Sequence, residues 1–155
     1  MNCRFCNSEL KHIFADLGKS PLANSYLEKS QIEKKEVFFP LIAYVCSKCM
    51  LVQVDKFQDP SKIFKKYAYF SSYSQSWLDH VENFCTSVTK KYKLQEKTKV
   101  VEIASNDGYL LHNFQNKNIS VLGIEPAVNV AKIARKKKIP TITNFFGSKT
   151  AREIT

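Results

Sequence analysis

Apolar residues follow three patterns along this 155-residue chain, and each pattern predicts a different kind of element. Two short apolar runs, at residues 38–45 and 51–54, are of strand length and predict a ribbon hairpin. Between residues 77 and 92 the apolar side chains recur at helical spacing, which predicts one amphipathic helix. Three later runs of strand length lie at residues 99–104, 119–124 and 141–145. The chain is therefore predicted to be an α/β protein, with a small β region followed by a parallel sheet.

The first two of these later strands end in polar turns. Residues 105–108, with the sequence SNDG, follow the first strand, and a helical pattern begins directly after them. The second strand stops at Glu125 and Pro126, because proline cannot donate a ladder hydrogen bond. Strand, helix and strand fit within about 30 residues, as a right-handed crossover requires.

These two turns define a candidate ligand-binding edge. Ligands of open α/β sheets collect outside the carboxyl ends of the strands, where a glycine such as Gly108 allows close backbone approach. Glu125 stands near the roughly 20-residue offset at which an acidic side chain accepts hydrogen bonds from a ribose. The three-glycine dinucleotide fingerprint is absent, and Asp107 would repel a pyrophosphate and suit a cationic ligand. S-adenosylmethionine meets that description; the alternative is that SNDG is only a turn and Glu125 a solvated strand end.

Four cysteines stand in two Cys-x-x-Cys pairs, Cys3 with Cys6 and Cys46 with Cys49. Each pair can present two thiolates from one tight turn, and two facing turns make a closed, tetrahedral zinc site of the structural kind. Disulfides are disfavoured in a cytoplasmic chain, and a redox motif is disfavoured because there are two copies. The remaining cysteine, Cys85, lies on the apolar face of the predicted amphipathic helix, so we expect a buried packing residue.

The composition, with 44% hydrophobic and 25% charged residues, predicts a soluble globular protein. No apolar run approaches the roughly 20 residues of a membrane span and no signal-peptide core follows Met1, so we expect a cytoplasmic protein without a membrane partner. The net charge of +10 is concentrated late, with a basic run at residues 135–138. No aromatic residues interleave with that run, which favours a solvated helix face over a nucleic-acid site.

A segment rich in tyrosine and serine, residues 66–74, separates the two β regions. Before it, Asp59 and Pro60 are typical of the start of a short helix, which we expect to end at Lys66. After it, residues 76–79 predict a capping box that starts the amphipathic helix. The dense aromatic and hydroxyl groups of residues 66–74 favour two interpretations equally. The segment is either a surface that covers a ligand or a connector whose rings pack at the domain junction.

Several motifs together resemble one family. CRFC, GKSPLANSYL, CSKCMLVQV, KKYAYFSSYS, VVEIASNDGYLL, VLGIEPAVNVA and IPTITNFFG occur in the order and approximate spacing of the S-adenosylmethionine-dependent sugar C-methyltransferases. The resemblance implies a zinc-ribbon-like domain at residues 1–57 and a tyrosine-rich linker and helix at residues 58–98. It implies the first half of a Rossmann-like class I methyltransferase domain at residues 99–155, with a truncated sheet. The implied substrate is a nucleotide-linked keto-deoxysugar, and the implied cofactors are S-adenosylmethionine and zinc.

The resemblance also implies site residues, carried over motif by motif. The implied zinc ligands are Cys3, Cys6, Cys46 and Cys49. The implied cofactor-binding residues are Glu102, Ser105, Asn106, Gly108 and Glu125. The stretch that contributes to the active site contains Tyr67, Tyr69, Ser72 and Tyr73. In the family's reaction a base removes the proton beside a sugar ketone, and the resulting enolate attacks the sulfonium methyl group.

The chain departs from the family's pattern at its end. The 155 residues stop shortly after the FFG of residues 145–147, before the family's later strands, its catalytic histidine and its C-terminal domain. We therefore expect a truncated or split protein that binds the cofactor weakly. Because the catalytic histidine is missing, it should methylate no sugar. Because its first parallel strand becomes an edge, it should associate with itself or with a missing half. The alternatives are a non-catalytic zinc ribbon that binds nucleic acid, and an inactive remnant of the enzyme.

Overall fold

A computed structural model describes residues 1–154 and divides the chain into two units. The first unit comprises Met1–Ile63, and the second begins at Phe64. Within the described residues each unit has its own three-stranded sheet. None of the helices found there is long and apolar enough to cross a membrane.

The sheet of the first unit is antiparallel. Its strands are β1 (His12–Ser20), β2 (Phe39–Val45) and β3 (Val52–Val54), in that order. The pairing of β2 with β3 confirms the predicted hairpin, in which Tyr44 lies opposite Gln53. The turn between these two strands carries Cys46 and Cys49, so the hairpin presents one cysteine pair at its end.

A glycine and a proline so close together as Gly18 and Pro21 are typical of a loop, but Gly18 belongs to β1. The backbone of Gly18 has φ +74°, and its amide donates a hydrogen bond to the Asp16 carboxylate at 2.9 Å. The register of β1 against β2 shifts between Asp16 and Lys19, as it does at a β-bulge. The glycine therefore marks an irregularity inside a strand, and the strand continues to Ser20 just before Pro21.

The buried core of the first unit is small. It consists of Cys3, Leu10 and Cys46, with Tyr44 packed against it. Two of these three buried residues are cysteines, so this unit has little apolar material with which to stabilise a fold.

The second unit contains a small parallel sheet, as predicted. Its strands are β4 (Lys99–Ile103), β5 (Ser120–Ile124) and β6 (Thr141–Ile142), in that order. β6 is shorter than predicted and ends at Ile142; just beyond it the Asn144 side chain accepts a hydrogen bond from the Phe145 amide. The structure is thus a mixed α/β protein with a cysteine cluster and a parallel sheet.

A short helix, α1 (Pro60–Phe64), lies at the boundary of the two units. The helices of the second unit are α2 (Gln75–Tyr92), α3 (Leu111–Gln115), α4 (Val128–Lys136) and α5 (Ser148–Ile154). α1 begins as predicted, with the Asp59 carboxylate accepting from the Ser61 amide at 2.8 Å, but it ends before Lys66. The capping box predicted at residues 76–79 is wrong. Ser74 caps α2 and accepts from the Trp77 amide, so the helix starts a little earlier.

One face of the parallel sheet is covered by helices and forms the core of the second unit. The buried cluster contains Val81, Cys85, Leu111, Phe114, Ile119, Val121, Ala134 and Ile139. Cys85 is fully buried and has no disulfide partner, which confirms its prediction as a packing residue. The apolar face of α2 is narrower than predicted, because Trp77, Phe84 and Tyr92 are 42%, 49% and 63% exposed.

The opposite face of the sheet is partly open. Val101 and Ile103 alternate with the buried-side residues of β4, and they are 43% and 54% exposed. The strand order also leaves β4 at an edge of the sheet that residues 1–154 form. The expected edge position of this strand is therefore observed.

Candidate metal centre and ligand cavity

The two cysteine pairs are held by turns with the same hydrogen bonds. In each turn the residue after the second cysteine, Asn7 or Met50, has φ near +60°. The amide of that residue donates to the carbonyl of the first cysteine, Cys3 or Cys46, at 2.9 Å in both turns. The two turns are thus structurally equivalent, and each directs two sulfur atoms towards the other.

The four sulfur atoms form one cluster. All four lie within 4.8 Å of one another, and the Cys3–Cys49 and Cys6–Cys46 distances are 3.6 and 3.5 Å. Disulfide sulfurs are about 2.05 Å apart, so no pair is bonded. A tetrahedral zinc ion with Zn–S distances of about 2.3 Å separates its sulfur ligands by about 3.8 Å. The cluster therefore fits zinc and leaves no open coordination position for a substrate.

Gln53, which the sequence did not suggest, supports this cluster from β3. Its side chain is buried; its carbonyl oxygen accepts from the Arg4 amide at 3.0 Å, and its amide donates to the Cys3 sulfur at 3.2 Å. Hydrogen bonds from the Cys6 backbone and from Gln53 lower the pKa of Cys3 to about 6. These bonds favour the thiolate, which is the form that binds zinc.

A cavity of about 520 Å³ opens in the second unit, at the carboxyl ends of β4 and β5. Its lining consists of Phe64, Tyr67, Tyr69, Ser71, Ile103, Ala104, Asn106, Ile124, Glu125, Pro126, Phe145 and Phe146. The segment of residues 64–73, named here the tyrosine strap, forms one wall. Aromatic and aliphatic side chains dominate, and Glu125 is the charged side chain of the lining. Parallel sheets bind ligands at this edge.

Glu125 holds the two turns of the cavity floor together. It is buried, and its carboxylate accepts from the Asn106 amide at 2.9 Å and from the Ala127 amide at 2.8 Å. One oxygen serves each amide, which leaves a lone pair on each oxygen for a ligand. Because Glu125 also lines the cavity, it can bind a hydroxyl pair without releasing the backbone.

The other implied cofactor residues divide between the cavity and the core. Asn106 lines the cavity together with Glu125. Glu102 and Ser105 do not line it. Glu102 points to the buried face of the sheet. Ser105 is fully buried against Gly123, and a Cβ atom added to Gly123 would lie 2.4 Å from the Ser105 hydroxyl. Gly108 is also outside the lining. With φ +77°, its Cβ position would lie 2.9 Å from the Ile139 side chain, so this glycine allows close packing in the core and not close approach of a ligand.

Asp107 does not present its charge to the cavity. It is buried, and one of its carboxylate oxygens accepts from the Ser72 hydroxyl and from the Lys137 ammonium, the latter at 3.1 Å. We expected the Asp107 carboxylate to suit a cationic ligand. This expectation is corrected, because the Lys137 ammonium already pairs with that carboxylate. In the basic run, Arg135, Lys136 and Lys138 are exposed, as expected for a solvated helix face, and Arg135 donates to the Thr141 carbonyl at 2.9 Å.

The implied active-site tyrosines do not come together. Tyr67 and Tyr69 line the cavity, whereas Tyr73 is 94% exposed and lies outside the lining. Ser72 faces Asp107 as described above. The structure thus separates the two earlier tyrosines of the strap from the last one.

Two comparisons with known proteins bear on this arrangement. Residues 3–64 match the family described as "Putative zinc binding domain". The chain is also 29% identical over 152 residues to C-methyltransferase NovU from Streptomyces niveus. That alignment covers 98% of this chain and 36% of the relative, so the chain spans about a third of the relative's length.

The chain resembles the N-terminal region of a C-methyltransferase. The resemblance inferred from the motifs is thereby confirmed. The zinc-binding match contains both cysteine pairs, and together with the sulfur cluster it supports zinc binding by the first unit.

Several residues of the cavity were missed by sequence reasoning. Ile103 and Ile124 are the last residues of β4 and β5, and they line the cavity because parallel strands end at one edge. Phe145 and Phe146 were noted only as part of a motif, although a pair of adjacent aromatic residues after a strand is a usable signal. Asn129, which holds the strap, carried no signal in the sequence.

Proposed function

We propose that this chain is the zinc-binding and cofactor-binding part of an S-adenosylmethionine-dependent C-methyltransferase, acting on a nucleotide-linked keto-deoxysugar. The reaction class follows the similarity to a C-methyltransferase, and the sugar substrate follows the motifs of the sequence. The observation that carries the proposal is the charge of the cavity. Among the described residues, its lining contains Glu125 and no lysine or arginine.

This charge selects the class of cofactor. A dinucleotide or nucleoside triphosphate brings several negative charges, which would meet a carboxylate and no cation in this cavity. S-adenosylmethionine brings a ribose, no phosphate, and a positive sulfonium centre. Its apolar adenine suits the walls formed by Ile103, Ile124 and Phe145, because ligand pockets combine apolar walls with a few oriented polar groups.

The residues of the cavity have distinct roles in this proposal. Glu125 accepts the ribose hydroxyls through the lone pairs that its two backbone amides leave free. When bound, the cofactor supplies an electrophilic methyl group for transfer to carbon. Tyr67 and Tyr69 wall the cavity beside it, where they exclude water and contact the substrate. Tyr73, which lies outside the lining, is assigned no role in this proposal.

Calorimetric titration of the zinc-loaded chain with S-adenosylhomocysteine tests the proposal. The wild type should bind one equivalent with a saturable heat. Glu125→Ala should weaken binding by about 1.5–3 kcal/mol, the range for hydrogen bonds to a charged group. A second variant, Glu125→Gln, keeps one acceptor oxygen and should lie between the two.

The matched control is Glu82→Ala, which removes an exposed carboxylate from α2. It should bind like the wild type and hold the same amount of zinc. Absence of saturable heat in the wild type would contradict the proposal, as would equal affinities of the Glu125 variants and the wild type.

A further inference from the structure

The tyrosine strap has no regular structure of its own over residues 65–70. Its backbone amides and carbonyls therefore have no partners in a helix or strand and pair with groups outside the strap or with water. The partners are mostly side chains. The strap is thus held by a few specific contacts, and each of these can be removed by substitution.

Asn129, at the start of α4, makes two of these contacts. Its side-chain oxygen accepts from the Tyr67 amide at 3.0 Å, and its side-chain amide donates to the Tyr67 carbonyl at 2.7 Å. The Val128 amide next to it donates to the Lys65 carbonyl at 3.1 Å. Asn129 therefore binds the backbone of Tyr67 as a neighbouring strand would.

Asn106 makes an equivalent pair of contacts further along the strap. Its side-chain oxygen accepts from the Ser71 amide at 2.9 Å, and its side-chain amide donates to the Tyr69 carbonyl at 3.2 Å. The backbone of Asn106 has φ +50°, a conformation that asparagine tolerates better than most residues. The strap is therefore fastened on each side of Tyr69.

Both asparagines are connected to the cavity through Glu125. One carboxylate oxygen accepts from the amide of Asn106 itself, and the other accepts from Ala127, in the turn that leads to Asn129. A ligand at Glu125 would therefore contact the carboxylate that holds the backbone near both attachment points. The contacts form a continuous series from the cavity floor to the two tyrosines.

We propose that Asn129 and Asn106 are positioning residues that couple occupancy of the cavity to the placement of Tyr67 and Tyr69. The coupling rests on the proposed function, because it requires a ligand at Glu125; the anchoring of the strap does not. When the cavity is filled, the strap is fastened and its tyrosines are fixed at the cavity wall. When the cavity is empty, the strap detaches more often.

Limited trypsin digestion, followed by mass spectrometry, tests the anchoring. Lys65 and Lys66 are exposed cleavage sites at the start of the strap, and Lys97 is an exposed site in a turn away from it. The ratio of cleavage at the strap to cleavage at Lys97 measures detachment of the strap, because global unfolding increases cleavage at both sites. Asn129→Ala should raise this ratio roughly tenfold or more, as expected for two lost neutral hydrogen bonds.

Two further variants make the test specific. Asn129→Asp keeps the acceptor for the Tyr67 amide but places a carboxylate oxygen against the Tyr67 carbonyl, so its cleavage ratio should also exceed that of the wild type. Asn116→Ala removes an exposed asparagine side chain from the end of α3 and should leave the ratio unchanged. A wild-type ratio in Asn129→Ala would overturn the anchoring.

Saturating S-adenosylhomocysteine tests the coupling. It should slow cleavage at the strap several-fold in the wild type and much less in Asn129→Ala. If calorimetry shows binding but the strap of the wild type is not protected, the coupling is wrong and the proposed function stands. If calorimetry shows no binding, the proposed function and the coupling both fail, while the ligand-free ratios still decide the anchoring.

Discussion

The two units of this chain are stabilised in different ways. In the first unit the buried core is Cys3, Leu10 and Cys46, and large side chains such as Phe5 and Leu17 are 81% and 69% exposed. In the second unit a contiguous apolar cluster fills one face of the parallel sheet. A unit of about 60 residues gains only marginal stability from its apolar core, and a structural metal often adds to it. The comparison indicates that zinc stabilises the first unit and side-chain packing the second.

Cys46→Ser should have the largest effect, and it should be confined to the first unit. A structural zinc site contributes about 10–16 kcal/mol of binding free energy that is also folding free energy. We expect loss of zinc and unfolding of residues 3–54, detected by elemental analysis and circular dichroism. Cys85→Ala is the matched control, because Cys85 is buried in the second unit and should leave zinc at one equivalent per chain. Retention of zinc by Cys46→Ser would refute the four-cysteine site.

Leu111→Ala should give the converse result. Leu111 is fully buried in the core of the second unit, and such truncations cost about 2–5 kcal/mol. Urea unfolding should show this loss while the zinc content stays constant. Leu17→Ala, at an exposed position of β1, should change stability by less than about 0.5 kcal/mol. Equal effects of the two substitutions would remove the distinction between the units.

Glu102 should make the stability of the second unit depend on pH. Burial, and then the charges of Glu125 and Asp107, raise the pKa of Glu102 from its ordinary 4.5 to about 8. The folded state therefore keeps a proton that the unfolded state releases, and stability falls as the pH rises from 4.5 to about 8. The slope for one proton is about 1.4 kcal/mol per pH unit.

Unfolding of the wild type and Glu102→Gln between pH 6 and pH 8 measures this dependence. The substituted side chain is an amide that cannot ionise, so the variant should lose the slope, and the stability of the wild type should fall by roughly 2–3 kcal/mol relative to that of the variant between pH 6 and pH 8. Glu82→Gln, at an exposed position of α2, should keep the wild-type slope. Parallel curves for the wild type and Glu102→Gln would show that Glu102 is ionised in the fold.

Gln53→Leu should have the smallest effect. It removes the hydrogen bond to the Cys3 sulfur while filling a similar volume, and loss of such a supporting bond typically weakens metal binding by about tenfold or more. Competition with a chelator of known affinity measures the change. Gln75→Leu, at the start of α2, is the control. An unchanged zinc affinity would mean that the four thiolates alone determine binding.

The sequence predicted best what depends on neighbouring residues. The cysteine pairs are local spacings, and the late strands end at Glu125 and at residues 105–108 as the apolar runs indicate. β1 was missed because its bulge at Gly18 interrupts the alternation that identifies a strand. The start of α2 was also misplaced. Ser74 and Ser76 are both suitable N-cap residues, and only the backbone conformation shows that Ser74 is the cap.

Roles that depend on distant packing could not be predicted. Gly108 is required because Ile139, much later in the chain, packs against it. Lys137 neutralises Asp107 across a separation of 30 residues, and Asn129 binds Tyr67 across 62. None of these pairs leaves a pattern in one sequence, because each is formed by the fold.

The central claim is that zinc stabilises the first unit, whereas side-chain packing stabilises the second unit. Hydrogen–deuterium exchange of the zinc-loaded chain tests this claim most directly. It is measured once with a chelator and once with S-adenosylhomocysteine. The chelator should accelerate exchange throughout residues 3–54 and leave the apolar core of the second unit protected. S-adenosylhomocysteine should slow exchange in the tyrosine strap and in the turns at residues 104–107 and 125–129, and nowhere in the first unit. Loss of protection in both units on chelation, or no protection by the ligand at those turns, would contradict the account.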